Sequence, residues 1–419
     1  MELRNWAGNI RFSTDRLHHP ETVDQVQEIV RTSRQVRVLG SRHSFNAIAD
    51  STGDLISLDR LEPVLEIDEP RRQITIDGGV TYGQLAPRVC EAGFALHNTA
   101  SLPHITVAGA CATATHGPGS ANGILGSRVA AMQIVTGDGS VRTMSRAEDG
   151  DRFGGVVVGL GGLGVVTRLT LDVSPTFDMS QLVYENLPLA EVDGHFDAIM
   201  SSGYSVSLFT DWRERRFNQV WIKTVAASGD AAEAAPTFYG ATLATTDVHP
   251  LPTLDAAACT PQMGVVGPWH ERLPHFRAEF EPSYGEELQS EYFVPRAQAG
   301  AALRAIADIR GDVAPLLQMS EVRTIAADDL WMSPFYRRDS VALHFTWRYD
   351  WENLKLLLPR IEKRLAPFDP RPHWGKLFTM PAPRLQACYA RLPDFRALLE
   401  SFDPQGTFRN TFLETMVFG

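Results

Sequence analysis

The first 174 residues carry short apolar runs that glycine turns separate. Runs of Val, Ile and Leu bounded by Gly are typical of β-strands, whereas apolar residues three or four apart indicate a helix. The runs predict strands at VRVLG (36–40), LISLD (55–59), ITIDGGVT (74–81), AAMQIVTGDGSVRTM (130–144) and GVVTRLTLDVS (164–174). Helical spacing occurs at residues 21–33 and 84–92. This pattern predicts an α+β unit rather than the regular strand–helix alternation of a doubly wound sheet.

After Pro175 the pattern changes. Aromatic-rich strands are predicted at YSVSLFTDW (204–212) and QVWIKTV (219–225), and helices at residues 296–309 and 351–365. A stretch rich in Ala, Gly and Asp covers residues 226–236. The tail FDPQGTFRNTFL (402–413) carries three phenylalanines, which predicts that it docks on the rest of the protein. A second α+β unit, with a mixed or antiparallel sheet, is therefore expected after Pro175.

The composition of the 419 residues, 44% hydrophobic and 21% charged, is typical of a soluble globular protein. A net charge of −11, without a basic run interleaved with aromatics, disfavours nucleic acid as a partner. The amino terminus lacks the apolar run of a secretory signal, and no apolar run reaches about 18 residues. We therefore expect a cytoplasmic protein with no membrane segment. Nothing in this pattern bears on the oligomeric state, for which a monomer is the expectation.

The cysteines at positions 90, 111, 259 and 388 form no CxxC pair and have no short spacing to histidines. This spacing argues against a zinc site and against a disulfide framework. We expect no metal, and we expect the cysteines to be buried thiols.

Gly159, Gly161 and Gly164 in GLGGLG match the G-x-G-x-x-G fingerprint of dinucleotide-binding sites. That fingerprint requires a following helix, whose N-terminus binds the pyrophosphate. The β-branched run VVTRLTLDV (165–173) follows instead, and it predicts a strand. We interpret the glycines as a tight turn, so a nicotinamide dehydrogenase is disfavoured.

Two stretches of small residues suggest a cofactor site. VRVLGSRHSFN (36–46) runs from an apolar strand into a turn that contains His43, a nucleophilic group beside a backbone that an anion can approach closely. NTASLPHITVAGACATATHGPG (98–119) suits a backbone that wraps around a flat ligand and binds phosphates through N–H and hydroxyl groups. Either stretch alone is also compatible with an ordinary surface loop. Together they favour a site for a phosphate-bearing cofactor.

Polar side chains also share strand faces in the later half of the chain. Glu321 and Arg323 are two residues apart in a β-prone run, so both leave the same face of a strand. His344 and Thr346 likewise share one face of the strand at residues 341–347, whose other face is apolar and is predicted to be core. The polar face is therefore expected to look at a cavity or at water.

Lys376, in the segment HWGKLF, completes this polar set, and His373 precedes it by three residues. Each member also fits a plain structural role. Glu321 with Arg323 is compatible with a surface ion pair, and Lys376 with a solvated lysine.

The order LGSRHSFN, TASLPHITVAGACATATHG and GLGVVTRLTL resembles the FAD-binding domain of the vanillyl-alcohol oxidase and p-cresol methylhydroxylase (PCMH) group. Glu-x-Arg, His-x-Thr and His-Trp-Gly-Lys then follow as in the aldonolactone oxidoreductase branch, whose bacterial alditol (xylitol) oxidases the chain resembles from NWAGN (5–9) to its end. The resemblance implies a two-subdomain PCMH-type FAD-binding domain at 1–175 and a substrate-binding (cap) domain at 176–372. A C-terminal segment, 373–419, would return to the flavin domain.

The resemblance implies that His43 carries FAD covalently, because the family bonds this histidine to the flavin ring. Arg42 stands where close relatives often have glycine; its charge either strengthens phosphate binding or points to solvent, and we expect an ordinary φ there. Ala100 is implied to give O2 access to the flavin. The other residues implied to bind FAD are Val38, Leu39, Gly40, Ser41, Ser44, Ser101, Thr106, Gly109, Ala110, Cys111, Ala112, Thr113, Val166 and His373.

The implied reaction is oxidation of the C1 primary alcohol of an alditol such as xylitol or sorbitol, by hydride transfer to flavin N5. O2 then takes the electrons and gives hydrogen peroxide. Arg323 and Lys376 are expected to stabilise the alkoxide, and either Lys376 or His344 to take the proton. The residues expected to bind substrate are Ser101, Glu321, Arg323, Thr346 and Lys376.

Two alternatives stay open. An aldonolactone oxidase or a flavin dehydrogenase would use the same FAD site with a related sugar substrate. A non-catalytic binding protein for a nucleotide or sugar would carry no flavin.

Overall fold

The computed structural model describes residues 2–226, 234–280 and 286–419. The strands up to residue 172 are β1 (Leu17–His18), β2 (Val36–Leu39), β3 (Asp54–Ser57), β4 (Leu65–Asp68), β5 (Gln73–Asp77), β6 (Phe94–Ala95), β7 (Val129–Val135), β8 (Val141–Ser145) and β9 (Val165–Asp172). The helices there are α1 (Val23–Thr32), α2 (Tyr82–Glu91), α3 (Val107–Ala112), α4 (Arg146–Asp149) and α5 (Asp151–Val157). All the strands and both helices predicted for this part of the chain are confirmed.

The later strands are β10 (Ser174–Pro175), β11 (Asp178–Pro188), β12 (Ser205–Thr210), β13 (Arg216–Val225), β14 (Thr237–Phe238), β15 (Ala241–Leu243), β16 (Gly267–Pro268), β17 (Glu287–Pro295), β18 (Leu317–Ile325), β19 (Ser340–Arg348) and β20 (Arg371–Pro372). The later helices are α6 (Leu189–Met200), α7 (Ala299–Ala307), α8 (Arg310–Val313), α9 (Trp351–Leu365), α10 (Ala382–Ala387), α11 (Leu392–Phe402) and α12 (Thr411–Leu413). Helix α9 has its predicted bounds, whereas α7 is shorter than predicted because Arg296–Gln298 form a 3₁₀ turn. Most of the stretch 226–236 lies outside the described residues.

Local sequence signals explain where the main helices begin. Thr22 accepts a hydrogen bond from the backbone N–H of Gln25 at the start of α1. Thr81 and Gln84 form a reciprocal capping box at the start of α2. Asp350 caps α9 in the same way as Thr22 caps α1. Each cap satisfies backbone N–H groups that the first helical turn leaves without partners.

The first part of the chain builds an antiparallel sheet with the strand order β4-β5-β9-β7-β8, and a separate parallel sheet with the order β1-β3-β2. The GLGGLG glycines lie between α5 and β9, and no helix follows them. The interpretation of this motif as a tight turn is therefore confirmed. Gly161 and Gly164 both have a positive φ, which glycine adopts at little cost.

The later strands form the large sheet, with the order β14-β15-β11-β13-β12-β18-β19-β17-β20 and β16 paired with β11. Its strands pair in antiparallel fashion. One face packs against α6, α7 and α9, and it buries Val341, Leu343, Phe345 and Trp347 as predicted. Strand side chains alternate between the two faces of a sheet, so the neighbours of these residues point the other way. The α+β class with an antiparallel sheet is confirmed.

The carboxyl-terminal tail is docked, as predicted, since Phe402, Phe408 and Phe412 are buried. Cys111 and Cys259 are buried as expected, but Cys90 and Cys388 are only half-buried, because they lie near the ends of α2 and α10. None of the helices in the described part of the chain has the length and apolar character that a membrane span requires.

We predict that Gly164→Ala destabilises the protein. Gly164 has φ 139°, and an added Cβ would overlap the carbonyl oxygen of Val135 where β7 and β9 pair. Strained backbone and this overlap together should lower the free energy of unfolding by about 3 kcal/mol or more. Thermal unfolding measures the effect. Gly194→Ala, in α6 with open space around its Cβ position, is the matched control and should change the stability by less than about 1 kcal/mol.

Candidate active site

Polar side chains cover the face of the large sheet that points away from α6, α7 and α9. Across this face, Glu321 on β18 pairs in register with His344 on β19, which pairs with Glu291 on β17. Thr346 pairs with Gln289 in the next row. We call the residues Gln289, Glu291, Glu321, Arg323, His344 and Thr346 the polar face. A cavity separates the polar face from the His43 loop, and both line it.

Most of the residues singled out in the sequence line this cavity. They are Val38, Leu39, Gly40, Ser41, Arg42, His43, Ser44, Ala100, Ser101, Thr106, Gly109, Ala110, Ala112, Thr113, Glu321, Arg323, His344, Thr346, His373 and Lys376. Cys111 and Val166 do not line it. Cys111 lies on the inner side of α3 in the apolar core, and Val166 packs against that core from β9. Their side chains therefore do not reach this cavity, and their cofactor contacts stay predictions.

The carboxylate of Glu291 lies at the centre of the polar face. Its Oε1 accepts a hydrogen bond from Arg323 Nη2 at 2.6 Å, and its Oε2 accepts a hydrogen bond from Lys376 Nζ at 2.7 Å. His116 Nε2 lies 3.2 Å from Oε1. Burial alone would raise the pKa of Glu291, but Lys376, Arg323 and His116 outweigh it and keep that pKa well below its usual value. Glu291 is therefore ionised and bridges two cations.

Lys376 and His344 are joined directly. Lys376 Nζ lies 2.8 Å from His344 Nδ1, and His344 Nε2 lies 3.0 Å from Thr346 Oγ1. Burial and the neighbouring Lys376 lower the pKa of His344 to about 4, so its ring is neutral at pH 7. A neutral ring that accepts from Lys376 at Nδ1 carries its hydrogen on Nε2 and donates to Thr346. Both nitrogens of His344 are therefore engaged, Nδ1 by Lys376 and Nε2 by Thr346.

Glu321 and Arg323 form a buried pair rather than a surface one. They are 3% and 5% exposed, and Arg323 Nε lies 3.6 Å from Glu321 Oε2. His275, which comes from a loop, lies 2.8 Å from Glu321 Oε1 through Nε2. Burial would raise the pKa of Glu321, but Arg323 and His275 hold it well below the usual value. Glu321 is therefore an ionised acceptor in the cavity wall.

The His43 loop is fixed on both sides. The Arg42 carbonyl accepts from the backbone N–H of Trp6 at 2.9 Å, and Phe45 N–H donates to the Gly375 carbonyl at 2.7 Å. The Trp6 ring stacks on the His43 ring at 4.9 Å between centroids. Burial lowers the pKa of His43 to about 4, and its buried Nδ1 has no hydrogen-bond partner within the described residues. The loop therefore presents a neutral ring with an unused nitrogen.

The expected ordinary φ at Arg42 is wrong, because Arg42 has φ 61°. The loop reverses direction here so that it can bond to both Trp6 and Gly375. A left-handed conformation costs a non-glycine residue roughly 1–2 kcal/mol, so glycine would adopt it more easily at this position. The Arg42 side chain is exposed, and it borders the cavity.

Comparisons with known proteins give matches over both parts of the chain. Residues 14–145 match a family described as FAD binding domain, and residues 285–416 match one described as D-arabinono-1,4-lactone oxidase. The chain is 50% identical to an alditol oxidase of Streptomyces sp., over 100% of this chain and 99% of that protein. This chain belongs to the alditol oxidase family.

More distant relatives of this chain include the L-gulonolactone oxidase of Mus musculus, which is 26% identical over 100% of this chain and 98% of that protein. An L-gulono-1,4-lactone dehydrogenase of Mycobacterium tuberculosis is 27% identical over 97% of each chain. The structure of cholesterol oxidase from B. sterolicum, 14% identical, superposes with a TM-score of 0.77 over 99% of this chain and 96% of that one. That likeness shows a shared fold.

The residues around the His43 loop fit FAD, the cofactor of the alditol oxidase family. A Cβ on Gly40 would overlap Thr106 Oγ1, and one on Gly109 would lie 2.8 Å from the same atom. The two glycines therefore keep the walls on either side of Thr106 close together. Arg37, fully buried, donates to the Gly161 carbonyl at 2.7 Å and holds the glycine turn against the cavity. Narrow walls of small residues suit a flat ring and an extended diphosphate.

Sequence reasoning missed several residues of the alditol oxidase site. Glu291 is one of two acids, with Glu287, inside the buried strand ELQSEYFVP, which was a usable signal, because an ionised residue in a buried strand needs partners. His116 lies in the stretch of small residues that was singled out, but no role was given to it. Trp6 and His275 stand in segments with no pattern that points to a site.

We predict that Glu291→Gln lowers the free energy of unfolding by about 3 kcal/mol or more, because it leaves two buried cations without their carboxylate. The pKa of Glu291 is depressed in the folded protein, so its contribution is present above the unfolded value near 4.5 and is lost as the pH falls. Thermal unfolding of both proteins from pH 7 downward should therefore show the difference narrowing below pH 4.5.

Glu352→Gln is the control for this variant, since Glu352 pairs with Lys355 on the exposed surface of α9. It should change stability by less than about 1 kcal/mol. Equal effects of the two variants would contradict the central place of Glu291.

Proposed function

We propose that this protein is an FAD-dependent alditol oxidase. It oxidises the C1 primary alcohol of alditols such as xylitol and sorbitol to the aldose and forms hydrogen peroxide from O2. The observation that carries the proposal is the polar face, where cations, carboxylates and a hydroxyl share one cavity with the His43 loop. An alditol has a donor and an acceptor on every carbon, so mixed donors and acceptors suit it better than an apolar wall. The relative with 50% identity is itself named alditol oxidase.

Arg323 and Lys376 mark the reacting end of the proposed site. Each uses part of its hydrogen-bonding capacity on Glu291, and Arg323 Nε has no hydrogen bond within the described residues. Their remaining donors can stabilise the negative charge that develops on the C1 oxygen. Bound FAD supplies the hydride acceptor and passes the electrons to O2.

Lys376 is the better candidate of the two for the base that takes the hydroxyl proton. His344 has no free nitrogen, because Nδ1 meets Lys376 and Nε2 meets Thr346. Burial lowers the pKa of Lys376, although Glu291 opposes this, and Arg323 adds to the lowering. The form of Lys376 that acts as a base is the deprotonated one, in which the two remaining hydrogens donate to Glu291 and His344 and the lone pair is left for the substrate. The proton it accepts then restores the ion pair with Glu291.

The other predicted roles fit the same arrangement. Glu321 accepts hydrogen bonds from substrate hydroxyls, and Ser101 and Thr346 bind others. Ala100, beside Ser101, is 6% exposed in the cavity wall, and its small side chain is proposed to leave O2 a path. The domain division at residues 175 and 372, the monomeric state and the cytoplasmic location stay predictions.

We also propose that His43 bonds FAD covalently. The buried, unpaired Nδ1 supports this, since burial and the lowered pKa keep the ring neutral and nucleophilic. The residues of the 38–44 loop and of the 101–113 stretch that line the cavity, together with His373, are proposed to hold the cofactor. His373 Nδ1 accepts from the Gly375 N–H at 3.0 Å, which fixes its ring.

The function is tested by peroxide formation from xylitol, sorbitol and L-gulonolactone. We expect turnover of the alditols at rates well above that of the lactone. Lys376→Met should lower turnover by about 100-fold or more while the protein keeps its flavin absorbance, because the proposed base is lost. Faster turnover of L-gulonolactone would favour the lactone oxidase alternative, and a protein purified without flavin would contradict both.

The covalent link is tested by acid denaturation of the purified protein. We expect the yellow colour and the mass of one FAD to stay with the wild-type chain and to leave the chain in His43→Ala. His18→Ala, at a half-buried histidine that pairs with Asp54, is the control and should keep the adduct. Retention of the adduct in His43→Ala would place the link elsewhere.

A further inference from the structure

Lys223, on β13, is a buried cation outside the proposed chemistry. Its side chain is 1% exposed. Lys223 pairs with Ser205 on β12, and Ser207, two residues further along, pairs with Arg323 on β18, so Lys223 lies on the same side of the large sheet as the polar face. Nζ donates to three consecutive carbonyls, those of Arg272, Leu273 and Pro274, at 2.5, 2.8 and 2.7 Å. All three ammonium hydrogens are therefore used on one turn of the chain.

The turn that Lys223 fixes leads directly into His275. Thr260 adds to its fixation, because its hydroxyl donates to the Pro274 carbonyl at 2.8 Å and its N–H to the His275 carbonyl at 2.9 Å. The His275 ring packs edge-on against Phe209 and Trp221, with centroids at 5.6 and 5.3 Å. Backbone and ring are thus both held, so the direction of His275 Nε2 is set before any substrate binds.

His275 Nε2 points at Glu321 Oε1 at 2.8 Å, and both side chains are at most 3% exposed. Burial lowers the pKa of His275, so its ring is neutral and its single N–H serves the ionised Glu321. One Glu321 oxygen is then occupied, while the other faces Arg323 at 3.6 Å.

We propose that His275, held by the Lys223 turn, is the residue that positions Glu321 to accept a hydrogen bond from an alditol hydroxyl. The inference rests on the proposed function, in which Glu321 binds substrate. Neither Lys223 nor His275 belongs to the set expected to touch the reacting carbon. Their effect is expected on substrate affinity rather than on the chemical step.

The same contact also sets the ionisation of Glu321. The charged or titratable groups around this carboxylate are Arg323, His275, His344, Lys223 and Lys376. Loss of the His275 donor removes one of the groups that lower the pKa of Glu321, so that pKa rises. Because ionised Glu321 is a much stronger acceptor for the hydroxyl than its protonated form, the acid side of the pH profile of kcat/KM should then move to higher pH.

The test is His275→Phe in the flavin-loaded enzyme, which keeps the ring packing and removes the donor. We expect KM for xylitol to rise about tenfold and kcat to change by less than about threefold. The acid side of the pH profile of kcat/KM, its acid limb, should move to higher pH. His249→Phe is the matched control: His249 also lines the cavity, but its Nδ1 accepts from the Leu251 N–H and it has no carboxylate partner within the described residues. Its acid limb should stay in place.

Lys223→Met tests the second link. We expect the same direction of change in KM and in the acid limb, and little further change when Lys223→Met is added to His275→Phe, because both act through one contact. If Lys223→Met does not fold, Lys223→Gln, which keeps two donors, should give a smaller change of the same kind. Effects of the Lys223 variants that add fully to those of His275→Phe would overturn the link.

An unchanged KM and acid limb in His275→Phe would overturn the proposal itself. That failure is separate from failure of the proposed function, which would show in the wild type as no peroxide from alditols. A rise in KM without a shift of the acid limb, together with a lowered unfolding temperature, would mean a structural role only and would also overturn it.

Discussion

The buried carboxylate of Glu291 is the interaction on which the site depends. Arg323 and Lys376 come from β18 and from the segment after β20, and Glu291 bonds to both. Burying a cation without a partner costs a large desolvation free energy. The shared carboxylate offsets that free energy for both cations and fixes their positions relative to each other. The pair is thereby held at one end of the cavity with donors to spare, which is what a developing alkoxide requires.

The two faces of the large sheet explain how a stable fold carries so many buried charges. Val341, Leu343, Phe345 and Trp347 form core on one side of β19, while His344 and Thr346 alternate with them on the other. The helices stabilise the sheet from the apolar side, so the polar face is free to be arranged for ligand binding. The His43 loop forms the opposite wall of the cavity. Its backbone bonds to Trp6 and to Gly375, and the Trp6 ring stacks on His43.

Local patterns could be predicted from the sequence, and long-range register could not. Alternation placed His344 with Thr346 and Glu321 with Arg323, and a 3.6-residue period gave α9 its bounds. Glu291 and His275 were missed because their roles arise from pairing with strands or loops at least 32 residues away. The left-handed backbone at Arg42 escaped prediction for the same reason, since the partners of the His43 loop, Trp6 and Gly375, lie at distant points in the chain. The sequence also did not show that α3 turns the Cys111 side chain into the apolar core.

The most direct test of the account is a crystal structure of the flavin-loaded protein with xylitol bound. The account predicts the polyol between the flavin at His43 and the polar face, with its C1 oxygen within hydrogen-bonding distance of Arg323 and Lys376 and another hydroxyl on Glu321. A polyol bound away from these three side chains, or a flavin held on another wall of the cavity, would contradict it.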